Sequence, residues 1–259
     1  MGKRAITFFL LLLLCSFLNA SVAFRTPNKL DCDGKYSPTE KGITLSAWVY
    51  LDTIDSTNFP MYIFGVYDTG TPIITAAISL QDSGPGIMPV FEITTDDATH
   101  SVLNPGCTGA SDCIPVSQWT HVLGYYNNSD LFLYLNGVEL ASTANGSPLS
   151  PKAAIFSIAY DPTTNSNHFI GQITDVVGYE GDFSFSDIET LYKSRMRSNV
   201  IPTDGFNRNR IIYIPLDDFP SGVSASTPLH IDRSGNGHNC NDTSGSGGGV
   251  SLGDFLMYQ

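Results

Sequence analysis

Apolar and polar residues alternate through Ile43 to Leu51 (ITLSAWVYL), so that Ile43, Leu45, Ala47, Val49 and Leu51 face one way and Thr44, Ser46, Trp48 and Tyr50 the other. A period of two is that of a β-strand. One face is purely aliphatic and calls for a core. The other mixes small hydroxyls with two aromatics, which suits a half-wet or ligand-facing surface. Further short strand-like runs follow at Met61 to Tyr67, Ile73 to Leu80, Pro89 to Thr94 and His100 to Leu103, then Trp119 to Tyr126 and Leu131 to Leu135. Asn136-Gly137 predicts a tight hairpin into Val138 to Ala141, and Ile155 to Tyr160, Phe169 to Tyr179 and Ile211 to Leu216 complete the set. Gly, Pro, Asp and Asn fill the gaps, a pattern of antiparallel β-structure rather than alternating strands and helices.

One stretch has helical period. Ile188, Leu191, Tyr192 and Met196 share a face, with Ser186 as the expected N-cap and Glu189 completing a capping box. A short amphipathic helix of this kind lies against a sandwich. From Asp217 onward the chain is rich in Ser, Gly, Asn and Asp, and Ser244 to Gln259 reads as a Gly/Ser-rich tail. The roughly 60 residues after Ile201 carry too few apolar side chains to form a core of their own, so one domain spanning residues 24–243 is expected.

The first 23 residues alter the picture of where the protein works. Lys3 and Arg4 precede an apolar run to Leu18, and small residues follow up to Ala23, the pattern of a secretory signal peptide cleaved after Ala23 or, as the alternative, Ala20. The run is shorter than the roughly 20 residues of a spanning helix, and no later stretch qualifies as a membrane span. Loss of the leader removes two basic residues and moves the formal charge from −12 to −14, with 11 basic against 25 acidic residues. An acidic chain of this kind lacks the basic footprint that nucleic acid or an anionic lipid surface requires. The expectation is a secreted protein, extracellular or associated with the cell surface.

Beyond the leader's Cys15, four cysteines remain: Cys32, Cys107, Cys113 and Cys240. An even number in an oxidising compartment predicts two disulfides. Of the three possible pairings, closure of Cys107 with Cys113 is local across the CTGASDC loop and leaves Cys32 for Cys240, which ties the two ends of the domain together. Sequons at Asn127, Asn145 and Asn241 mark candidate glycosylation sites on solvent-facing turns, Asn145 being disfavoured by Pro148 behind it.

Three segments taken in order resemble the laminin-G-like, concanavalin A-like jelly-roll superfamily, particularly its pentraxin-related branch. ITLSAWVYL is similar to that family's T-x-S-A-W-V strand. Trp119-Thr120-His121-Val122 followed by Leu133 to Gly137 is similar to its W-x-H-V and L-Y-x-N-G hairpin. Phe169 to Tyr179 and Phe185 to Tyr192 resemble its closing strand and helix. The resemblance covers roughly Gly42 to Met196 and implies an all-β fold, a two-sheet antiparallel jelly-roll sandwich with one short helix. That fold serves lectins, adhesion modules and hydrolases alike. On purely structural grounds Trp119 is expected as a core anchor.

Two departures from the family pattern bear on function. Where the family's closing strand carries an acidic residue after its Ile, this chain has Thr174, with Asp175 next. Many members bind calcium with rim carboxylates and carbonyls, so the resemblance leaves Asp175 as the candidate calcium ligand of a weakened site. Secondly, Tyr213 to Asp217 and Asp232 to Asn239 resemble the segment with which such domains begin, yet here they come last. Either the sandwich is circularly permuted, with residues 211–243 supplying its first strands, or a truncated second copy follows. In the family the strands that here hold Cys32 and Cys240 run side by side, and a bridge between them favours permutation.

Catalytic patterns are missing from the sequence. There is no Glu-x-Asp-x-x-Glu strand, no Gly-x-Ser-x-Gly elbow and no His-x-x-x-His pair; Glu92 stands alone, and Asp96 and Asp97 would point to opposite faces. His121 reads as a hydrogen-bonded histidine within the sandwich. The expectation is a non-catalytic recognition module that binds carbohydrate or an extracellular protein, with a self-associating structural subunit of a coat, filament or matrix as the alternative. Aromatic rings stack on sugar faces, so the candidate contacts are Trp48, Tyr50, Tyr62, Tyr125 and Tyr126, and an acidic surface suits neutral or cationic glycans.

Overall fold

The computed structural model describes residues 22–24, 29–194 apart from short breaks, 210–216 and 229–243. The expected signal peptide up to Ser21, the tail from Ser244 and the helix position Met196 lie outside the described residues. Among the described residues fifteen strands and one helix follow in order: β1 (Val22–Phe24), β2 (Leu30–Cys32), β3 (Ile43–Leu51), β4 (Met61–Asp68), β5 (Ile73–Asp82), β6 (Ile87–Thr94), β7 (Thr99–Leu103), β8 (Trp119–Tyr126), β9 (Asp130–Leu135), β10 (Val138–Ala144), β11 (Ala154–Ile158), β12 (Gly171–Glu180), α1 (Phe185–Ser194), β13 (Arg210–Ile214), β14 (Leu229–His230) and β15 (Cys240–Asp242). Two antiparallel sheets result, as expected of a jelly-roll sandwich. The seven-stranded sheet runs β1-β12-β3-β8-β9-β10, with β13 also on β12, and the eight-stranded sheet runs β14-β15-β2-β11-β4-β5-β6-β7.

β3 lies inside the first sheet, between β12 and β8. Its aliphatic face behaves as alternation dictates: Ile43, Leu45, Ala47, Val49 and Leu51 are all fully buried between the sheets. Facing them across the sandwich are Phe64 and Val66 of β4, Ile78 of β5, Phe91 of β6 and Phe156 of β11. The Asn136-Gly137 hairpin forms as predicted, with both residues at positive φ, 51° and 79°. The strand expected over Ile155 to Tyr160 stops at Ile158, because Ala159 turns into the left-handed region at φ 69°. Trp119 is not the expected core anchor; it is half-buried on the outer face, directly opposite Tyr50 with ring centroids 5.6 Å apart.

The outer face of β3 is closed by α1. Trp48 stacks on Tyr192 at 5.8 Å and 18°, and both rings contact the imidazole of His121 on β8. Behind them Tyr125, Leu123, Tyr179, Ile188 and Leu191 form a second apolar cluster. The helix cap lies two residues earlier than the sequence suggests. Ser184, not Ser186, is the cap: its N–H and hydroxyl donate to Asp187 Oδ2 at 2.8 and 2.6 Å, and the Asp187 N–H returns a bond to Ser184 Oγ at 3.3 Å. Asp187 sits three residues past that cap and takes the place expected for Glu189, which instead pairs with Lys193 at 2.5 Å. Phe183 before the cap and Ile188 beyond it share the cluster, a hydrophobic staple that sets the angle of the helix on the sheet.

The C-terminal strands belong to this same sandwich. β13 continues along the edge of β12 that β1 occupies further up, and β15 pairs with β2 so that Cys240 lies opposite Cys32. Both expected disulfides are present, Cys32 with Cys240 across 208 residues of chain and Cys107 with Cys113. Between β14 and β15, Asp232 holds the loop together. Its carboxylate accepts from the N–H groups of Tyr213, Ser234 and His238 at 2.9, 2.8 and 3.0 Å and from the Ser234 hydroxyl at 2.7 Å. His238 in turn packs edge-on to Phe156 at 5.1 Å and meets the Asp33 carbonyl at 3.0 Å. Residue 23, the first expected cleavage point, falls within β1, whereas Ala20 precedes that strand.

Two predictions follow from this architecture. Closing a loop of this length by Cys32–Cys240 contributes about 5 kcal/mol on the chain-entropy model, so the Cys32→Ser, Cys240→Ser double variant is expected to show a markedly lower denaturation midpoint; an unchanged midpoint would contradict the clasp. Burial holds the His121 imidazole neutral, with its pKa lowered to about 3. Above pH ~6.5 the ring is neutral folded or unfolded. Below that the unfolded chain takes up a proton the folded one refuses, so stability falls with acidity by up to about 1.4 kcal/mol per pH unit until pH nears the folded value. A melting-temperature series from pH 7 to pH 4 is expected to be flatter for His121→Gln than for the parent.

Candidate functional site

Each sheet has an outer face, and the two differ. On the seven-stranded sheet the residues facing out from β3 and β8 are covered by α1 except at one end, where Tyr50 and Trp119 remain half-exposed beside Gln172. On the eight-stranded sheet one line of directly paired residues crosses seven strands: Asn241, Asp31, Ser157, Gly65, Ala77, Glu92 and Ser101. The neighbours of these residues along each strand point into the core, so this line faces outward. Three small residues in the middle thus separate two carboxylates, Asp31 and Glu92.

Tyrosines stand over the small residues. The Tyr67 ring lies on Gly65 so closely that a Cβ there would come within 2.7 Å of its hydroxyl, which is why β4 needs glycine at this position. Tyr62 packs edge-on to Tyr67 at 6.4 Å, with Ala77 beneath them. Tyr160 comes from the loop after β11. That loop folds back along β4 through the Ala159 N–H to the Ile63 carbonyl at 2.9 Å and the Tyr62 N–H to the Asn167 carbonyl at 3.0 Å. The same loop delivers Asp161 and His168, the latter stacked on Tyr160 at 5.9 Å and 12°. Lys29 lies 4.7 Å over the opposite end of this system, on the Tyr160 ring.

Burial beside carboxylates raises the three phenols and Glu92. The phenols of Tyr62, Tyr67 and Tyr160 are all pushed far above their ordinary range, first by desolvation and then by the charges of Glu92, Asp161 and Asp31 around them. Glu92 is raised by burial, an effect opposed by the hydrogen bond from Tyr62 and reinforced by repulsion from Asp161. Phenols held protonated are donors throughout the physiological range, and carboxylates between them are acceptors. The three rings are themselves buried, at 6, 1 and 4% exposure for Tyr62, Tyr67 and Tyr160, and the groups of this cluster that reach the surface are the half-buried carboxylate residues Asp31 and Glu92.

The five aromatic residues singled out in the sequence are not brought together. Trp48 and Tyr125 are sealed beneath α1, and Tyr50 pairs with Trp119 at the open end of that sheet. Tyr126, one residue on from Tyr125, points the other way into the inter-sheet core and donates to the Ser147 carbonyl. Tyr62 alone lies on the eight-stranded face, where Tyr67, Tyr160, Glu92 and Asp161 join it. Glu92 has company that linear spacing could not show, because Asp161 arrives from a loop 69 positions further on. Asp175 sits in the β12 bulge at φ 49°, half-exposed, and accepts from the Tyr213 hydroxyl at 3.2 Å. Among the described residues no group of three or more His, Cys, Asp or Glu gathers in a way that could hold a metal ion. Thr174 donates to the Pro215 carbonyl at 2.7 Å.

Of the three sequons, Asn127 is half-buried and uses its side-chain oxygen to accept from the N–H groups of Ser129 and Asp130. The Asn145 side-chain nitrogen donates inward to the Tyr126 hydroxyl at 3.1 Å, and that of Asn241 donates to Asp33 at the rim of the eight-stranded face at 3.3 Å. Among the described residues no helix is long and apolar enough to cross a membrane.

The fold has solved counterparts. A native heptameric SAP-like pentraxin from Limulus polyphemus superposes with TM-score 0.52 at 14% identity, over 70% of this chain and 82% of that one. A putative carbohydrate binding protein from Bacteroides ovatus gives TM-score 0.54 at 14% identity, over 86% of this chain and 57% of that one. At such identities the likeness is one of fold. No curated protein matches in sequence. The family model described as "Concanavalin A-like lectin/glucanases superfamily" matches residues 25–189, from just before β2 to within α1, so that β13 to β15 lie beyond it. Taken with the two-sheet architecture, this match establishes that the chain belongs to the concanavalin A-like lectin/glucanases superfamily.

Proposed function

We propose that this chain is a secreted, non-catalytic recognition module that binds carbohydrate on the outer face of its eight-stranded sheet. The observation that carries the reading is the row of Ser157, Gly65 and Ala77 between Asp31 and Glu92, overlain by Tyr62, Tyr67 and Tyr160. Small residues let the tyrosines pack flat on the sheet, and the half-buried carboxylates of Asp31 and Glu92 at either side of them are acceptors for sugar hydroxyls. Closure of the opposite sheet by α1 supports the same choice of face. The structural likeness to a putative carbohydrate binding protein is consistent with it. β14 and β15 complete the face from the C-terminal side, in keeping with a permuted sandwich, with Asn241 in its row.

A glycan array followed by titration of the hits tests the proposal. Tyr62→Ala and Tyr160→Ala are each expected to weaken binding about tenfold or more, equivalent to about 1.4 kcal/mol, while Trp119→Ala on the other sheet leaves affinity within twofold. Absence of binding to any saccharide, together with concentration-dependent assembly in light scattering, would overturn the proposal in favour of a self-assembling structural subunit.

A further inference from the structure

Attachment of an N-linked glycan forms a bond between an asparagine Nδ2 and the anomeric carbon of an oligosaccharide. The bond from that carbon to the diphosphate of its lipid carrier breaks, and one of the two amide protons leaves. A folded chain accommodates the bulky sugar only where Nδ2 reaches solvent. The sequons at Asn127, Asn145 and Asn241 all meet the sequence condition, and the fold treats them differently.

Asn127 lies half-buried in the turn between β8 and β9, with the sequon's Ser129 exposed. Its Oδ1 is fixed toward the chain by the N–H groups of Ser129 and Asp130 at 2.9 and 2.7 Å, an Asx turn that directs the other arm of the planar amide away. Nδ2 makes no hydrogen bond among the described residues and is not buried. Asn241 stands on the outward side of β15, paired in register with Asp31. Its Nδ2 gives one exposed bond, to Asp33 Oδ2 at 3.3 Å, which leaves it a second hydrogen, and its sequon hydroxyl residue, Thr243, is exposed. Asn145 is closed on both arms. Its Oδ1 is buried, and Nδ2 turns inward onto the Tyr126 hydroxyl at 3.1 Å and the Ser147 carbonyl at 3.4 Å. Tyr126 is itself fully buried. The N–H groups of Asn145 and Gly146 both donate to the Ser129 carbonyl, at 2.7 and 2.9 Å, and so pin this sequon to the β8–β9 turn.

We infer that the secreted protein carries N-linked glycans at Asn127 and Asn241 and none at Asn145, which the fold itself excludes. This rests on the chain being secreted. Neither glycan closes the proposed recognition face. Asn127 belongs to a turn of the other sheet, and Asn241 stands beside Asp31 at one end of the row, five strand spacings from Glu92, or roughly 24 Å at about 4.8 Å each.

The test expresses the full chain, leader included, in cultured mammalian cells and treats the secreted protein with peptide N-glycosidase in heavy-oxygen water. Each glycosylated Asn becomes a labelled Asp that peptide mass spectrometry locates. Label is expected at Asn127 and Asn241 and not at Asn145. Asn127→Gln and Asn241→Gln each remove one glycan from the intact mass, and Asn145→Gln removes none. Pro148 behind the third sequon is a rival cause of its vacancy. Pro148→Ala separates the two: this variant is expected to be secreted only in the form unlabelled at Asn145, because a glycan there blocks the packing of Asn145 on Tyr126. Label at Asn145 in the secreted parent or in secreted Pro148→Ala would overturn the inference, as would secreted protein unlabelled at Asn127 or at Asn241. A chain retained in the cell without any glycan would overturn the secreted reading along with it.

Discussion

The stacking of Trp48 on Tyr192 is the contact from which the rest of the molecule's organisation follows. A sandwich built of strands with two decorated faces must cover, solvate or use each outer face, and aromatic side chains on a sheet are poorly served by water. Here α1 lies across β3 and β8, buries Trp48, His121 and Tyr125, and turns one outer face into a second small core. The buried, neutral His121, bonded to Ser46 at 2.8 Å, is a consequence of that closure. With one face covered by α1, the proposed recognition surface is that of the other sheet, where Tyr62, Tyr67 and Tyr160 are packed against the strands and the half-buried residues Asp31 and Glu92 flank them.

The ends of the chain meet on that second sheet. β2 and β15 are far apart in sequence, and three short pairings plus one disulfide join them. Strands this short hold few ladder bonds, so the Asp232 carboxylate, the His238 ring against Phe156 and the Cys32–Cys240 bridge supply what length does not. The arrangement has a functional corollary. Asp31 is placed on the proposed recognition face by the same strand whose next residue, Cys32, is bridged to Cys240, and Thr243 donates to its carboxylate at 2.8 Å. Stability of the clasp and geometry of the face are therefore coupled.

Much of the fold was legible in the sequence because alternation is a local property. β3 to β13 could be read from period-two runs, and the hairpin from Asn136-Gly137. β1, β2, β14 and β15 could not, since two or three residues give no period, and only pairing with a distant strand makes them strands. The cap of α1 was displaced by two residues because Ser184 and Ser186 both precede an acidic residue at the right spacing, and the choice is made by Phe183 docking on the sheet. The site was scarcely legible. Its parts come from β2, β4, β6 and the loop after β11, and the aromatic residues conspicuous in sequence, Trp48 and Tyr126 above all, are conspicuous because they build cores. A signal did exist in Gly65, flanked by apolar residues in a strand, since a glycine there marks the close approach of another group.

The central claim is that ligands meet the tyrosines of the eight-stranded sheet and not the aromatics beneath α1. Side-chain NMR with isotope-labelled Tyr and Trp, recorded while a saccharide bound by the protein is titrated in, reads this directly. The account predicts that ring resonances of Tyr62, Tyr67 and Tyr160 shift while those of Trp48 and Tyr125 stay in place. Shifts concentrated at Trp48, Tyr125 and Tyr192, with the other three unmoved, would contradict it.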